Sequence, residues 1–136
     1  MTEIVAPLVL LVDDFEDGRA LYAECLRLCG YRVVEAGDGR SAVSLVRELR
    51  PDIVVTDLAL PVLDGCAVIR ELKSDAAVCD IPVVALTGGT TARHVERARE
   101  AGCDAFLAKP CPADALLAVV RELLARARPG VSPSSP

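Results

Sequence analysis

Two kinds of segment alternate along the chain. The first kind is short, apolar and rich in β-branched residues: Leu8–Val12, Arg32–Glu35, Ile53–Thr56, Val83–Leu86 and Ala105–Ala108. Their near-continuous apolar character, without period-two alternation, predicts strands buried on both faces, as in a parallel sheet. Helical periodicity fills the intervals. Leu21, Cys25 and Leu28 recur at i, i+4, i+7; Val43, Val46 and Leu49 form a similar stripe, and Val68, Ile69 and Leu72 another. The last helix carries Leu116, Val120, Leu123 and Leu124 and runs into Arg126–Arg128, where basic residues suit a C-terminus. Thr91–Ala101 is the weakest pattern, with Val95, Ala98 and Ala101 left to face inward. It is expected to be the least firmly packed helix.

Turn residues mark the joins: Gly30 after the first helix, Gly37–Asp38–Gly39 after the second strand, Pro51–Asp52 before the third, and Gly102 after the fourth helix. Five strands alternating with five helices predict a doubly wound α/β sheet with right-handed crossovers. Pro129–Pro136 has linker composition and is expected to be a disordered tail or a truncated linker.

Composition narrows the class. The 136 residues suffice for one domain, and 52% hydrophobic residues exclude a disordered chain. With only 3% aromatics the core is expected to be aliphatic. The net charge of -5 and the scattered basic residues argue against direct nucleic-acid binding. The apolar run Ile4–Val12 lacks a basic flank and is too short to cross a membrane, so a soluble cytoplasmic protein is expected. Six cysteines form neither a C-x-x-C pair nor a ligand array with His94, and plain packing is their expected role.

The polar residues that break the strand pattern carry the chemistry. Asp13 and Asp14 follow the first strand, Asp57 ends the third, Thr87 the fourth and Lys109 the fifth. The C-terminal ends of parallel strands lie on one edge, where open α/β sheets bind ligands. Singly, Asp13 or Asp14 reads equally as a helix cap, Thr87 as a turn residue and Lys109 as a surface charge. Jointly they bring four strand ends to one crevice. Crowded carboxylates repel, a divalent cation such as Mg²⁺ relieves the repulsion, and one carboxylate is then able to attack phosphorus. An ammonium and a hydroxyl suit the transferring group.

The segments LLVDDFEDGR (10–19), PDIVVTDLALPVLDG (51–65), PVVALTGG (82–89) and AFLAKPC (105–111) resemble the receiver domain of two-component response regulators, over residues 7–127. The resemblance implies a flavodoxin-like (βα)5 three-layer sandwich with strand order 2-1-3-4-5, and a receiver domain over residues 1–128. Asp57 matches the phosphoacceptor. Asp14 matches the direct Mg²⁺ ligand and Asp13 its water-mediated partner, with Asp57 and the carbonyl of Ala59 completing the metal site. Thr87 matches the switch hydroxyl, Lys109 the lysine that pairs with the phosphoryl group, and Phe106 the aromatic that moves with the threonine. The family tends to hold the Lys109–Pro110 bond cis.

The implied function is a phosphorylation-activated signalling switch that catalyses only its own phosphorylation and dephosphorylation. The donor would be a sensor histidine kinase or a histidine phosphotransfer protein. Output would pass through the surface of helix 4, strand 5 and helix 5 to an effector protein or a second copy. Ala59 and Gly89 are small where relatives control water access, and Phe106 lacks the hydroxyl many relatives carry. His94 is expected at the surface, away from the crevice. A small phosphohydrolase is the competing enzyme reading, but Ala59 stands where its acid would be needed. A pseudo-receiver conflicts with the complete Asp, Thr and Lys set. Neither Walker-type nor G-x-G-x-x-G spacing follows the first strand, against a nucleotide module.

Overall fold

The computed structural model describes residues 5–88 and 92–126. The order is β1 (Leu8–Val12), α1 (Glu16–Leu28), β2 (Arg32–Ala36), α2 (Gly39–Leu49), β3 (Ile53–Asp57), α3 (Gly65–Lys73), β4 (Val83–Thr87), α4 (Ala92–Ala101), β5 (Ala105–Ala108) and α5 (Ala113–Arg126). The sheet is parallel, ordered β2-β1-β3-β4-β5. This is the expected flavodoxin-like architecture, and strands lie within one residue of their predicted ends. The expected tail, residues 129–136, lies outside the described residues.

Both faces of the sheet are buried because alternate strand residues serve opposite layers. Leu10, Val12, Val54, Val83 and Ala85 pack with Val46 of α2, Ile69 of α3 and Ala98 of α4. Val9, Leu11, Ile53, Val55, Val84 and Leu86 pack with Leu26 of α1 and Leu116 and Val120 of α5. Removing a fully buried aliphatic side chain from water stabilises by about 1.5–3 kcal/mol. That is why β1, β3 and β4, the inner strands, carry no polar residue before their last two positions.

The helical stripes need correction in two places. Leu21 and Leu28 are exposed, and the inward residues of α1 are Ala23 and Leu26. Leu49 of α2 is also exposed. A 3.6-residue period fixes the spacing of a face but not which of two partly apolar faces docks; the short Ala23 lets α1 approach the sheet closely. The stripes on α3 and α5 are buried as expected, and α4 buries only Ala98 and Ala101.

Capping fixes the helix starts. Asp38 accepts from the Ser41 amide at 2.8 Å and Asp64 from the Ala67 amide at 2.9 Å. Lys73 donates to the carbonyls of Cys79 and Ile81 and to Asp104, which also accepts from the Val83 amide, tying α3 to the start of β4 and to the turn before β5.

The β3–α3 connection is both tight and strained. A Cβ on Gly65 would stand 2.2 Å from the Asp57 carbonyl oxygen, and one on Gly39 would stand 1.9 Å from that of Leu63. These glycines let α2 and α3 close upon the loop. Within it, the Leu63 amide donates to the Pro61 carbonyl at 2.7 Å across Val62, whose φ is 70°. That is a γ-turn of the rare, strained hand, centred on a β-branched residue that is 80% exposed. Val62 gains little packing in return.

Val62→Gly is expected to stabilise the fold by about 1 kcal/mol, raising the thermal midpoint, since strain is relieved and little packing is lost. Gly65→Ala is expected to lower that midpoint markedly because its Cβ meets backbone; an unchanged melt would refute the close-approach argument.

Candidate functional site

Strand register builds the site. Val12 pairs with Thr56 across β1 and β3, Asp57 with Leu86, and Thr87 with Ala108. Asp13, Asp57, Thr87 and Lys109 therefore emerge at one edge. From β1 the chain crosses to β2 on one side, while β3 flanks it on the other, so the β1/β3 edge is the topological switch point of the sheet.

Asp13, Asp14 and Asp57 bring carboxylate oxygens within 4.8 Å of one another. Asp13 and Asp57 are buried, at 1% and 6% exposure, whereas Asp14 is exposed. Lys109 reaches into the cluster. Its Nζ donates to Asp13 Oδ2 at 3.0 Å and to Asp57 Oδ2 at 3.1 Å. Burial disfavours the Lys109 charge, but these two hydrogen bonds and the negative charges outweigh it and hold the ammonium above its ordinary pKa. The Lys109–Pro110 bond is cis, as the resemblance implied.

The remaining contacts orient the carboxylates. Asp57 Oδ1 accepts from the Ala59 amide at 3.1 Å, and Asp13 Oδ1 from the Phe15 amide at 3.0 Å. Arg19 supports the β1–α1 loop from behind, donating to the Asp13 carbonyl at 2.7 Å and to Glu35 at 3.0 Å. Its role was not read from the sequence, where it is one of several helical arginines. Thr87 is buried at the end of β4, and Phe106 packs partly buried against the α2–α4 core.

The donor set suits a hard divalent cation. Three carboxylates face one ammonium, leaving two formal negative charges in a largely buried crevice, and oxygen donors match Mg²⁺.

Two expectations change. His94 is exposed but not remote: with Arg97 it lines a cavity of about 460 Å³ that also touches Ala59 and Thr87. The cysteines are not uniformly packing residues. Cys66 is buried, Cys25, Cys79, Cys103 and Cys111 are half-buried, and Cys29 is exposed. Gly89 lies outside the described residues.

Among those residues, no helix is long and apolar enough to cross a membrane. The family model described as "Response regulator receiver domain" matches residues 9–121. The chain is 38% identical over 125 residues to the transcriptional regulatory protein PrrA of Mycobacterium tuberculosis, covering 92% of this chain and 53% of PrrA. It thus spans about half the length of PrrA. It is 32% identical to the polar-differentiation response regulator DivK of Brucella anthropi, covering 85% of this chain and 94% of DivK. The receiver domain of sensor histidine kinase PA1611 from Pseudomonas aeruginosa, solved with magnesium coordinated in its active-site cleft, superposes with a TM-score of 0.83. That likeness runs at 31% identity over 88% of this chain and 98% of the solved one. Motifs, sheet order and these likenesses agree, and the chain belongs to the response regulator receiver domains, which are signalling domains and not enzymes of the usual kind.

Proposed function

We propose that Asp57 is the phosphoacceptor of a reversible switch and that the domain catalyses only its own phosphorylation and dephosphorylation. The observation that carries this reading is the Lys109 ammonium bridging Asp13 and Asp57 at 3.0 and 3.1 Å. It leaves one nucleophilic carboxylate beside a fixed positive charge at the mouth of a switch-point crevice.

The chemistry follows from that arrangement. A carboxylate oxygen of Asp57 attacks the phosphorus of a phosphohistidine on the donor protein. The O–P bond forms as the P–N bond breaks, and the imidazole leaves with the electron pair. The Ala59 amide fixes the rotamer of Asp57 through Oδ1. Lys109 exchanges its bond to Asp57 for one to the incoming phosphoryl oxygens, while its bond to Asp13 keeps it in place. Asp13, Asp14, Asp57 and the Ala59 carbonyl would hold Mg²⁺, which when bound neutralises charge on the transferring group.

Thr87, at the end of β4, then hydrogen-bonds a phosphoryl oxygen, and Phe106 shifts with it. The face of α4, β5 and α5 is altered for an effector protein or a second copy. With only Ala98 and Ala101 buried, α4 has little apolar surface to lose in such a shift. The donor in this reading is a sensor histidine kinase or histidine phosphotransfer protein. The cytoplasm is the compartment, consistent with six unpaired cysteines. Neither nucleic acid nor membrane is a direct partner.

With Mg²⁺ and acetyl phosphate, intact-mass analysis is expected to show one added phosphoryl group on the wild type, and none on Asp57→Ala or after chelation with EDTA. Undiminished addition to Asp57→Ala would sink the assignment. Lys109→Ala is expected to slow the addition by roughly a hundredfold, the usual cost of losing one charge-stabilising group; a rate within a factor of two of wild type would remove Lys109 from the site.

A further inference from the structure

A cleft of about 600 Å³ opens between α1 and the segment that follows β5. Asp13 and Lys109 border it, but the proposed transfer makes no use of its other walls. Its walls are apolar at Phe15, Leu21 and Pro110, and two cysteines, Cys25 of α1 and Cys111 after β5, are among its lining residues. Phe15 and Leu21 are each 63% exposed, so large apolar surface remains open around this concavity. The Tyr22 hydroxyl donates to the Cys111 carbonyl at 2.9 Å and stands 3.4 Å from the Cys111 Sγ, fixing that residue at the cleft wall.

The geometry points to a modification site, in which Cys111, with Cys25 as the second thiol, captures an apolar α,β-unsaturated carbonyl compound. A hydrophobic body would be drawn from water into the Phe15–Leu21–Pro110 walls, and only sulfur among the nucleophiles there suits a soft electrophile. Lys109 also lines the cleft, but its Nζ is engaged by Asp13 at 3.0 Å and Asp57 at 3.1 Å and so is turned to the acidic cluster. Elsewhere, burial pushes the Cys66 and Cys103 thiols up, away from the reactive thiolate. Cys29 is exposed but is not among the residues that line the cleft.

The addition balances without an oxidant. The Cys111 sulfur forms a bond to the β-carbon, the C=C π bond breaks, and its electron pair moves through the carbonyl to give an enolate. The α-carbon then takes up a proton equivalent to the one the thiol released, and nothing leaves. The adduct occupies the cleft that Asp13 and Lys109 border, two residues along the chain from that lysine. Resting on the phosphoacceptor reading above, this adduct would slow phosphorylation of Asp57 by displacing Lys109.

Two maleimides with one reactive group separate cleft capture from simple exposure. Limiting N-benzylmaleimide followed by peptide mass mapping is expected to mark Cys111 and Cys25 ahead of Cys29. Anionic N-(2-carboxyethyl)maleimide is expected to mark Cys29 first. Leu21→Glu, a change at an exposed position, is expected to abolish the benzyl preference. Cys29 first with both reagents, or a preference that survives Leu21→Glu, would overturn the site. Wild type marked with the benzyl reagent is expected to lose most of its phosphate uptake from acetyl phosphate, while a Cys25→Ala/Cys111→Ala variant given the same reagent keeps it. Equal uptake by marked and unmarked wild type would overturn the coupling. If even unmarked wild type takes up no phosphate, the phosphoacceptor reading fails, and the order of labelling still decides the cleft.

Discussion

Everything at the functional edge of this domain answers to the repulsion among three carboxylates. Unit charges within 4.8 Å repel by roughly 3–4 kcal/mol at an effective dielectric near 20. Two of the three, Asp13 and Asp57, are withdrawn from the water that would screen them. Lys109 supplies one opposing charge from β5, two strands away from β3, and the amides of Phe15 and Ala59 supply oriented dipoles. The site remains two formal charges short of neutral, a deficit that a divalent cation suits.

Holding that arrangement requires a rigid support. The five strands are covered on both faces by aliphatic layers, and Leu10 and Leu11, facing opposite ways, show how each strand serves both. The support is tightened where β3 leaves the sheet. Gly65 lets the first turn of α3 come up against the Asp57 carbonyl, and Gly39 lets α2 close on Leu63. Between them the chain turns through a strained γ-turn at Val62. A loop pinned at both ends holds Asp57 and Ala59 in one relation, and the strain is the cost of so short a route.

How far these features could be read from the chain depends on the type of signal. Strand burial was legible because two covered faces demand an unbroken apolar run, as at Val83–Leu86. The polar residues at strand ends were legible for the same reason, since Asp57 and Thr87 interrupt such runs. The docking face of α1 was not. Leu21 and Leu28 mark an apolar stripe as regular as the one that is used, and only packing against α5 and the sheet selects Ala23 and Leu26. The exposed Leu21 then becomes part of a cleft wall opposite Pro110 and Cys111, residues about ninety positions away. Arg19, Tyr22 and Val62 were missed for a related reason: their partners are a backbone carbonyl, a distant thiol and a turn of unusual hand, none of which leaves a periodic trace.

By itself the sequence determined the parallel α/β class, the strand limits to within one residue, and the set of residues Asp13, Asp14, Asp57, Thr87 and Lys109 that meet at one edge. Those follow from local rules, because burial on two faces and the direction of parallel strands act residue by residue. The tertiary structure alone decided which carboxylates Lys109 bridges, how closely α3 approaches Asp57, which face of α1 is buried, and that two cysteines share one cleft. Each of these depends on a distance between segments far apart in the chain, and such distances arise only when the layers pack.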